Sequence, residues 1–169
     1  GTVERGCFAA YRDAGVTRCS VGVQSFDDGL LAGMDRLEKY GSGAGIRARL
    51  VAARGIFPTL NVDMIFNLPG QTLAMLDHDI DSLLELDVDQ ISFYPLMTAA
   101  TARHKMQKTM GDADESLRHV MYERVLDRLL PGHRASSAWC FTRGDGKFDE
   151  YIIDEDDYVG VGSGAFSYV

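Results

Sequence analysis

Positive charge is scarce in this chain: 17 Lys and Arg stand against 25 Asp and Glu over 169 residues, a formal net charge of −8. Phosphate binding needs a basic surface, so a broad nucleic-acid footprint is excluded. Long apolar runs are missing as well. None approaches the roughly 20 residues that span a bilayer, and no membrane partner is expected. The opening stretch GTVERGCFAAYRDAG has no basic start followed by an apolar core, so it does not read as a signal peptide. A cytoplasmic location is expected. The stretch also lacks a starting Met, which suggests a piece of a longer chain. Paired cysteines are absent: Cys7, Cys19 and Cys140 are odd in number, far apart and without a C-x-x-C spacing. That suits a reducing compartment and offers no metal-ligand pattern. There is no HExxH, P-loop, nucleophile elbow or Ser-His-Asp order. The closing GVGSGA resembles a dinucleotide fingerprint, yet no helix or βαβ unit follows it.

What is present is an ordinary globular balance, 46% hydrophobic and 25% charged, enough for one sizeable core and too short for two large domains. Residues 4–14 read as a helix through Cys7, Tyr11 and Ala14. RCSVGVQSF reads as a strand with Cys19, Val21 and Val23 on one side and Ser20, Gly22 and Gln24 on the other. Ser25 with Asp28 reads as a capping box opening a short helix through Leu30, Leu31, Met34 and Leu37. YGSGAG reads as a flexible break, and residues 46–54 as a helix stopped by Gly55. TLNVDMIF is a second strand. After the Leu-Pro-Gly turn, Thr72 is the expected N-cap of a helix whose stripe is Leu73, Leu76, Ile80, Leu83 and Leu84. VDQISFYPL is a third strand, residues 98–113 carry no clear core pattern, and residues 114–130 form another amphipathic helix. Strand-like pieces and loops follow from His133.

Strands separated by helices imply βαβ units and a parallel sheet. A parallel sheet covered on both faces is apolar on both sides. Here each strand has one apolar side and one small or polar side: Ser20, Gly22 and Gln24; Asn61 and Asp63; Gln90, Ser92 and Tyr94. That pattern suits a barrel wall with helices outside and a ligand cavity within, which would put Asp63 in the interior. A solvent-filled edge, or a buried and hydrogen-bonded structural Asp, are the alternatives. Three strands do not close a barrel, so an open half-barrel or an excised section is expected.

Other charged groups carry less. His78, His104, His119 and His133 show no ligand spacing. The acidic run DEYIIDEDD reads as a solvated face before it reads as a cation site. Arg103, His104, Lys105 and Lys108 cluster after the third strand, where they could clamp an anion or simply form an exposed helix face.

Taken together, AYRDAGVTRCSVGVQSFDDGLL, VDMIFNLPGQT, ISFYPL and DYVGVGSGAFSY resemble the oxygen-independent coproporphyrinogen III oxidases and their relatives, which are radical S-adenosylmethionine enzymes. GVQSF with LPGQT is the most specific part. The closing EYIIDEDDYVGVGSGAFSY, with SAW before it, looks most like the branch that degrades haem anaerobically with methyl transfer, anaerobilin synthase. The resemblance implies an α/β fold, the later half of a partial (β/α)6 barrel over residues 1–98. A connecting helix and the start of a C-terminal α+β substrate-side region would occupy residues 99–169. It implies S-adenosylmethionine and a [4Fe–4S] cluster as cofactors, with the cluster-binding half and its Cys-x3-Cys-x2-Cys loop upstream of this chain. This segment alone should then be inactive, while the parent is an enzyme forming a 5′-deoxyadenosyl radical. Porphyrin or haem, and an electron donor such as flavodoxin or reduced flavin, are the implied partners, and the open strand edge suggests self-association of the segment. Coproporphyrinogen III decarboxylation and haem carriage without turnover are the alternative functions.

By the same resemblance, Gln24 matches the strand Gln near the S-adenosylmethionine site, and Arg36 the Arg that meets the methionine carboxylate. Asp63 matches the acid that accepts from the ribose hydroxyls. Ile65 would touch adenine, and the backbone of Met97 would lie near it. Asn67 stands where relatives often have Gly, and Glu38 where the pattern often has His. Both departures bear on local loop shape and hence on the substrate.

Overall fold

The computed structural model describes residues 5–97, 100–144, 157–162, 165 and 167. Residues 149–156 of the acidic run, and Ser163 and Gly164 of the closing glycine-rich motif, lie outside the described residues. Helix α1 (Arg5–Asp13) leads into strand β1 (Arg18–Gln24), followed by helices α2 (Asp28–Gly33), α3 (Leu37–Tyr40) and α4 (Gly43–Ala53). Strand β2 (Thr59–Phe66), helix α5 (Leu73–Leu86) and strand β3 (Gln90–Pro95) complete the alternating part. Helices α6 (Ala100–Met110) and α7 (Leu117–Leu129) come next, then the short strands β4 (Arg134–Ala135) and β5 (Cys140–Thr142).

The expected three parallel strands are there, with β1, β2 and β3 paired side by side in parallel. The sheet does not end with them. Its order is β1-β2-β3-β5-β4, and β5 runs antiparallel to β3 through Ile91 opposite Phe141. The strand-like pieces expected from His133 on include β4 and β5, though three residues are too few to display the alternation that would have given β5 its bounds or its partner. Among the described residues the edge strands are therefore β1 and the short β4, and the flank of β3 away from β2 is covered by β5.

The split between the two sheet faces follows the alternation of side chains. Leu60, Val62, Met64, Phe66, Ile91 and Phe93 point into one fully buried core. Ile46 and Leu50 of α4, Leu76, Ile80 and Leu83 of α5, and Met121, Val125 and Leu129 of α7 close that core from the helix side. Phe66 stacks on Tyr122 of α7 with ring centroids 6.0 Å apart. Outside the core, Arg124 and Arg128 of α7 reach Asp77 of α5 at 3.4 Å each, and Arg128 also pairs with Asp81.

Local expectations fared unevenly. Thr72 does cap α5, accepting from the Met75 amide at 3.2 Å. Ser25 does not cap α2. Asp27 does, accepting from the Leu30 amide at 2.8 Å, because the Ser25 hydroxyl is engaged elsewhere. Leu37 belongs to the separate helix α3. The YGSGAG segment is no flexible break: Ser42 caps α4, whose first residue is Gly43, and Gly43 is buried against the Phe26 carbonyl. Residues 100–110 are helical although their sequence carries no core stripe. Met110 packs there against Gly33.

Candidate functional site

The sheet face opposite the core is polar and ordered by register. Ser20, Asn61 and Gln90 form one level across β1, β2 and β3, and Gly22, Asp63 and Ser92 form the next. Asp63 accepts from the Ser20 hydroxyl at 2.8 Å and from the Asn61 amide nitrogen at 2.6 Å. The Asn61 amide oxygen accepts from Ser92 at 3.1 Å. On the first level the Gln90 amide oxygen accepts from Arg18 at 2.9 and 2.6 Å, and its nitrogen donates to Thr142 at 2.9 Å. Asn61, Gln90 and Ser92 are fully buried, whereas Asp63 is half-buried. The network thus meets accessible space at Asp63 and at its exposed donor Ser20. Hydrogen bonds to a charged group contribute about 1.5–3 kcal/mol each. Two such bonds fix its orientation.

Gln24 departs from simple alternation. A register shift between Gly22 and Gln24 places Gln24 level with Met64, a core residue. Gln24 takes φ +77°, an uncommon conformation for a residue with a side chain. The result returns its side chain to the polar face: the amide nitrogen lies 2.9 Å from where a Cβ on Gly22 would stand. Arg36 arrives at the same place from the loop before α3. Its guanidinium donates to the Gly22 carbonyl at 2.6 Å and lies 4.5 Å from the centre of the Tyr40 ring. Burial lowers the Arg36 pKa from its ordinary value, opposed by Tyr40. Its Nε is buried with no hydrogen-bond partner among the described residues. Gly22, Gln24 and Arg36 therefore meet beside the level that holds Asp63.

Ile65 and Tyr94 form the third level of the same face, both half-buried. The Tyr94 hydroxyl is buried and unpartnered among the described residues. Met97 stands apart, two residues beyond the end of β3, with its side chain 71% exposed. The turn after β2 is tightly packed: Asn67 is buried at φ +61°, and the Gln71 amide oxygen accepts from the Leu68 amide at 3.1 Å. A Gly would adopt the Asn67 conformation without strain. Glu38, His78, His104 and Lys108 are exposed, and Arg103 and Lys105 lie among side chains outside the described set.

The cysteines do not assemble. Cys7 is on α1, Cys19 on β1 and Cys140 on β5, all free thiols, and burial raises the Cys19 pKa against the pull of Arg18. Among the described residues no group of three or more His, Cys, Asp or Glu could hold a metal ion. The thiols present do not fit an iron–sulfur cluster.

One residue escaped the sequence reading. Asp79 of α5 is completely buried and accepts from the Ser25 hydroxyl at 2.9 Å and from the Phe26 amide at 2.7 Å. Burial pushes its pKa up to about 6, opposed by those two donors and by His78, and reinforced by Asp27. The available signal was its place: Asp79 sits three residues after Leu76 and four before Leu83, on the apolar stripe of its own helix.

Comparison with known proteins bears out the fold. The structure matches coproporphyrinogen III oxidase (HemN) from Escherichia coli, described as a radical SAM enzyme, with a TM-score of 0.80 over 98% of this chain and 42% of that one at 24% identity. The α/β architecture is thus a partial copy of that fold. In sequence, the chain is 31% identical over 168 residues to the heme chaperone HemW of Mycobacterium tuberculosis, covering 96% of this chain and 43% of the relative. It is 27% identical over 125 residues to the oxygen-independent coproporphyrinogen III oxidase of Thermostichus vulcanus, covering 72% of this chain and 38% of the relative. The chain therefore spans less than half the length of these relatives. No protein-family model matches it. Its homologues are HemW heme chaperones and HemN-like oxidases. The anaerobilin synthase branch expected from the C-terminal residues finds no support among them. No helix among the described residues is long and apolar enough to cross a membrane.

Proposed function

We propose that this chain is the nucleoside-binding section of a radical S-adenosylmethionine protein that acts on or carries a porphyrin. The observation that carries the reading is the convergence of Gln24, Arg36 and the hydrogen-bonded Asp63 on one polar face. The orphaned donors Arg36 Nε and Tyr94 Oη beside them are consistent with a polar ligand. The residues fit S-adenosylmethionine. Asp63 has two oxygens with which to accept from vicinal ribose hydroxyls, and Arg36 has a planar fork suited to a carboxylate. Ile65 offers an apolar contact for adenine, and the backbone of Met97, just past the end of β3, would lie near it. When bound, S-adenosylmethionine supplies the reactive carbon group; this chain binds it, orients it and excludes water. A cluster would have to be held by residues other than Cys7, Cys19 and Cys140.

Asp63→Ala in the full-length protein is expected to weaken S-adenosylmethionine binding at least tenfold, which matches the loss of about one charge-assisted hydrogen bond. Unchanged affinity by calorimetry removes Asp63 from the site and the reading with it.

A second reading, haem carriage without turnover, is favoured by the HemW relatives. Anaerobic incubation of the reconstituted protein with haem, a reductant and S-adenosylmethionine separates the two. A stable Soret band, with coproporphyrinogen III also left unchanged, means a carrier. Loss of the band means an enzyme, and a methylated product with it is the outcome demanded by the finer assignment to haem degradation. Decarboxylation of coproporphyrinogen III, with haem left intact, is the outcome demanded by the oxidase assignment.

A further inference from the structure

The strained turn at Gln24 is held from both sides by groups that no part of the site explains. On one side, the Asp79 carboxylate of α5 receives the Ser25 hydroxyl and the Phe26 amide, the two residues that follow Gln24. The Ser25 hydroxyl in turn accepts from the Asp27 amide at 3.1 Å, which ties the start of α2 to the same carboxylate. On the other side, Gly43 at the head of α4 sits so close to Phe26 that a Cβ there would overlap its carbonyl oxygen and lie 2.7 Å from its carbonyl carbon. Ser25 and Phe26 are both buried. Their amide, hydroxyl and carbonyl are therefore fixed by α5 and α4, two helices that also pack the core.

A residue with a side chain does not hold φ +77° unless its surroundings impose it. With the next two residues fixed, Gln24 has no freedom to relax into extended backbone. In extended backbone it would stay in register with Ile65, and the bulge that turns its amide over Gly22 would vanish. An Asp on the buried stripe of a leucine-rich helix carries a cost in burial, visible in its raised pKa. A Ser or Asn at position 79 would cap the same turn more cheaply, but with one acceptor in place of two oxygens.

We propose that Asp79 and Gly43 are positioning residues that act through Ser25 and Phe26 to hold the Gln24 side chain on the polar face. This rests on the reading of that face as the S-adenosylmethionine site. Neither residue touches the ligand. Asp79 supplies the acceptors and Gly43 the close approach, and Gln24 delivers the effect.

The test pairs a structural readout with a binding readout in the full-length protein. The side-chain amide resonance of Gln24 is assigned in cluster-free, 15N-glutamine-labelled protein by its loss in Gln24→Ala. Asp79→Leu keeps the branched skeleton, though with bulkier methyl groups, and removes both acceptors; Asp79→Asn is a milder change that keeps one. The Gln24 resonance is expected to collapse toward that of a solvent-exposed glutamine amide in Asp79→Leu and to move part of the way in Asp79→Asn. S-adenosylmethionine affinity, by calorimetry, is expected to fall roughly tenfold in both Gln24→Ala and Asp79→Leu. In the double variant it should fall no further than in the weaker single, since both changes remove one device. A resonance that stays in place in either Asp79 variant overturns the proposal. So does a double variant whose loss is the product of the two singles, because Asp79 would then act independently of Gln24. If the resonance moves but Gln24→Ala binds S-adenosylmethionine normally, the positioning stands and the site assignment of Gln24 fails.

Discussion

Replacing Asp79 by Asn should change how stability depends on pH, and the size of the change can be worked from the structure. Asp79 is fully buried, and its pKa rises from 3.8 to about 6 in the folded protein. The folded state therefore holds a proton that the unfolded state releases more easily. The stability this provides is fully present below the unfolded value of 3.8 and is lost as pH rises through about 6. At about 1.4 kcal/mol per pH unit, the gap amounts to about 3 kcal/mol. Asn mimics the protonated carboxyl in size and keeps one oxygen for the Phe26 amide, and it does not titrate. Unfolding free energies of the two proteins from urea titrations, compared between about pH 3 and pH 8, should shift in favour of the variant by about 3 kcal/mol across that window.

Taking the difference between the two proteins matters because other groups pull the opposite way. Burial lowers the pKa of His133, which has no side-chain partner among the described residues, so its contribution is present above its unfolded value of 6.5 and lost as pH falls through its folded one. Asp114 is held below its ordinary value by the Ser116 hydroxyl and amide, and its contribution is likewise lost in acid. Both act equally in wild type and variant and cancel. A stability difference that stays constant within about 0.5 kcal/mol over the whole range would refute the buried-charge account of Asp79.

Two further substitutions probe the frame around the site. Gly43→Ala puts a methyl group into the Phe26 carbonyl and should cost about 2–3 kcal/mol, read as a drop in the urea midpoint; a midpoint equal to wild type would mean that α4 can move away freely. Asn67→Gly relieves a left-handed residue at φ +61° and removes a buried amide nitrogen with no partner. It should raise the thermal midpoint by roughly 2–4 °C, and a fall would mean that the Asn67 side chain has a partner the turn depends on.

The parts of the fold legible in the sequence are those whose cause is local. Alternation in RCSVGVQ and TLNVDMIF states which side chains share a face, and the leucine stripe with Thr72 states where α5 begins and what it covers. Asp63 stood out for the same reason, a carboxylate in mid-strand among small polar neighbours. What stayed hidden depends on residues far apart. Ser25 has the sequence signature of a helix cap, but its hydroxyl is bound by Asp79, 54 positions on, and the capping passes to Asp27. The glycines of YGSGAG read as slack, whereas Gly43 is required by contact with Phe26, 17 residues earlier. Strand β5 exists because β3 offers it a ladder, and its three residues carry too little pattern to give its bounds or its partner.

The same contrast explains why the proposed site residues are more conspicuous in the sequence than the groups that hold them. A ligand contact needs a particular functional group, and Gln, Arg and Asp are conspicuous wherever a strand or loop would otherwise be small or apolar. A positioning group needs only to reach a backbone atom, so any side chain with an oxygen, or the absence of a side chain, will serve. Asp79 and Gly43 have nothing in common as residue types. They are linked only through Ser25 and Phe26, and through those to the one residue in β1 whose backbone is strained. If a strained Gln24 is what the polar face requires, the two helices that restrain it should tolerate substitution less well than their burial alone implies. Asp79→Asn separates the two effects. It should gain stability above about pH 6 by removing a buried charge, while binding S-adenosylmethionine less tightly. A variant that is both more stable and unimpaired in binding would show that the charge at Asp79 serves neither role.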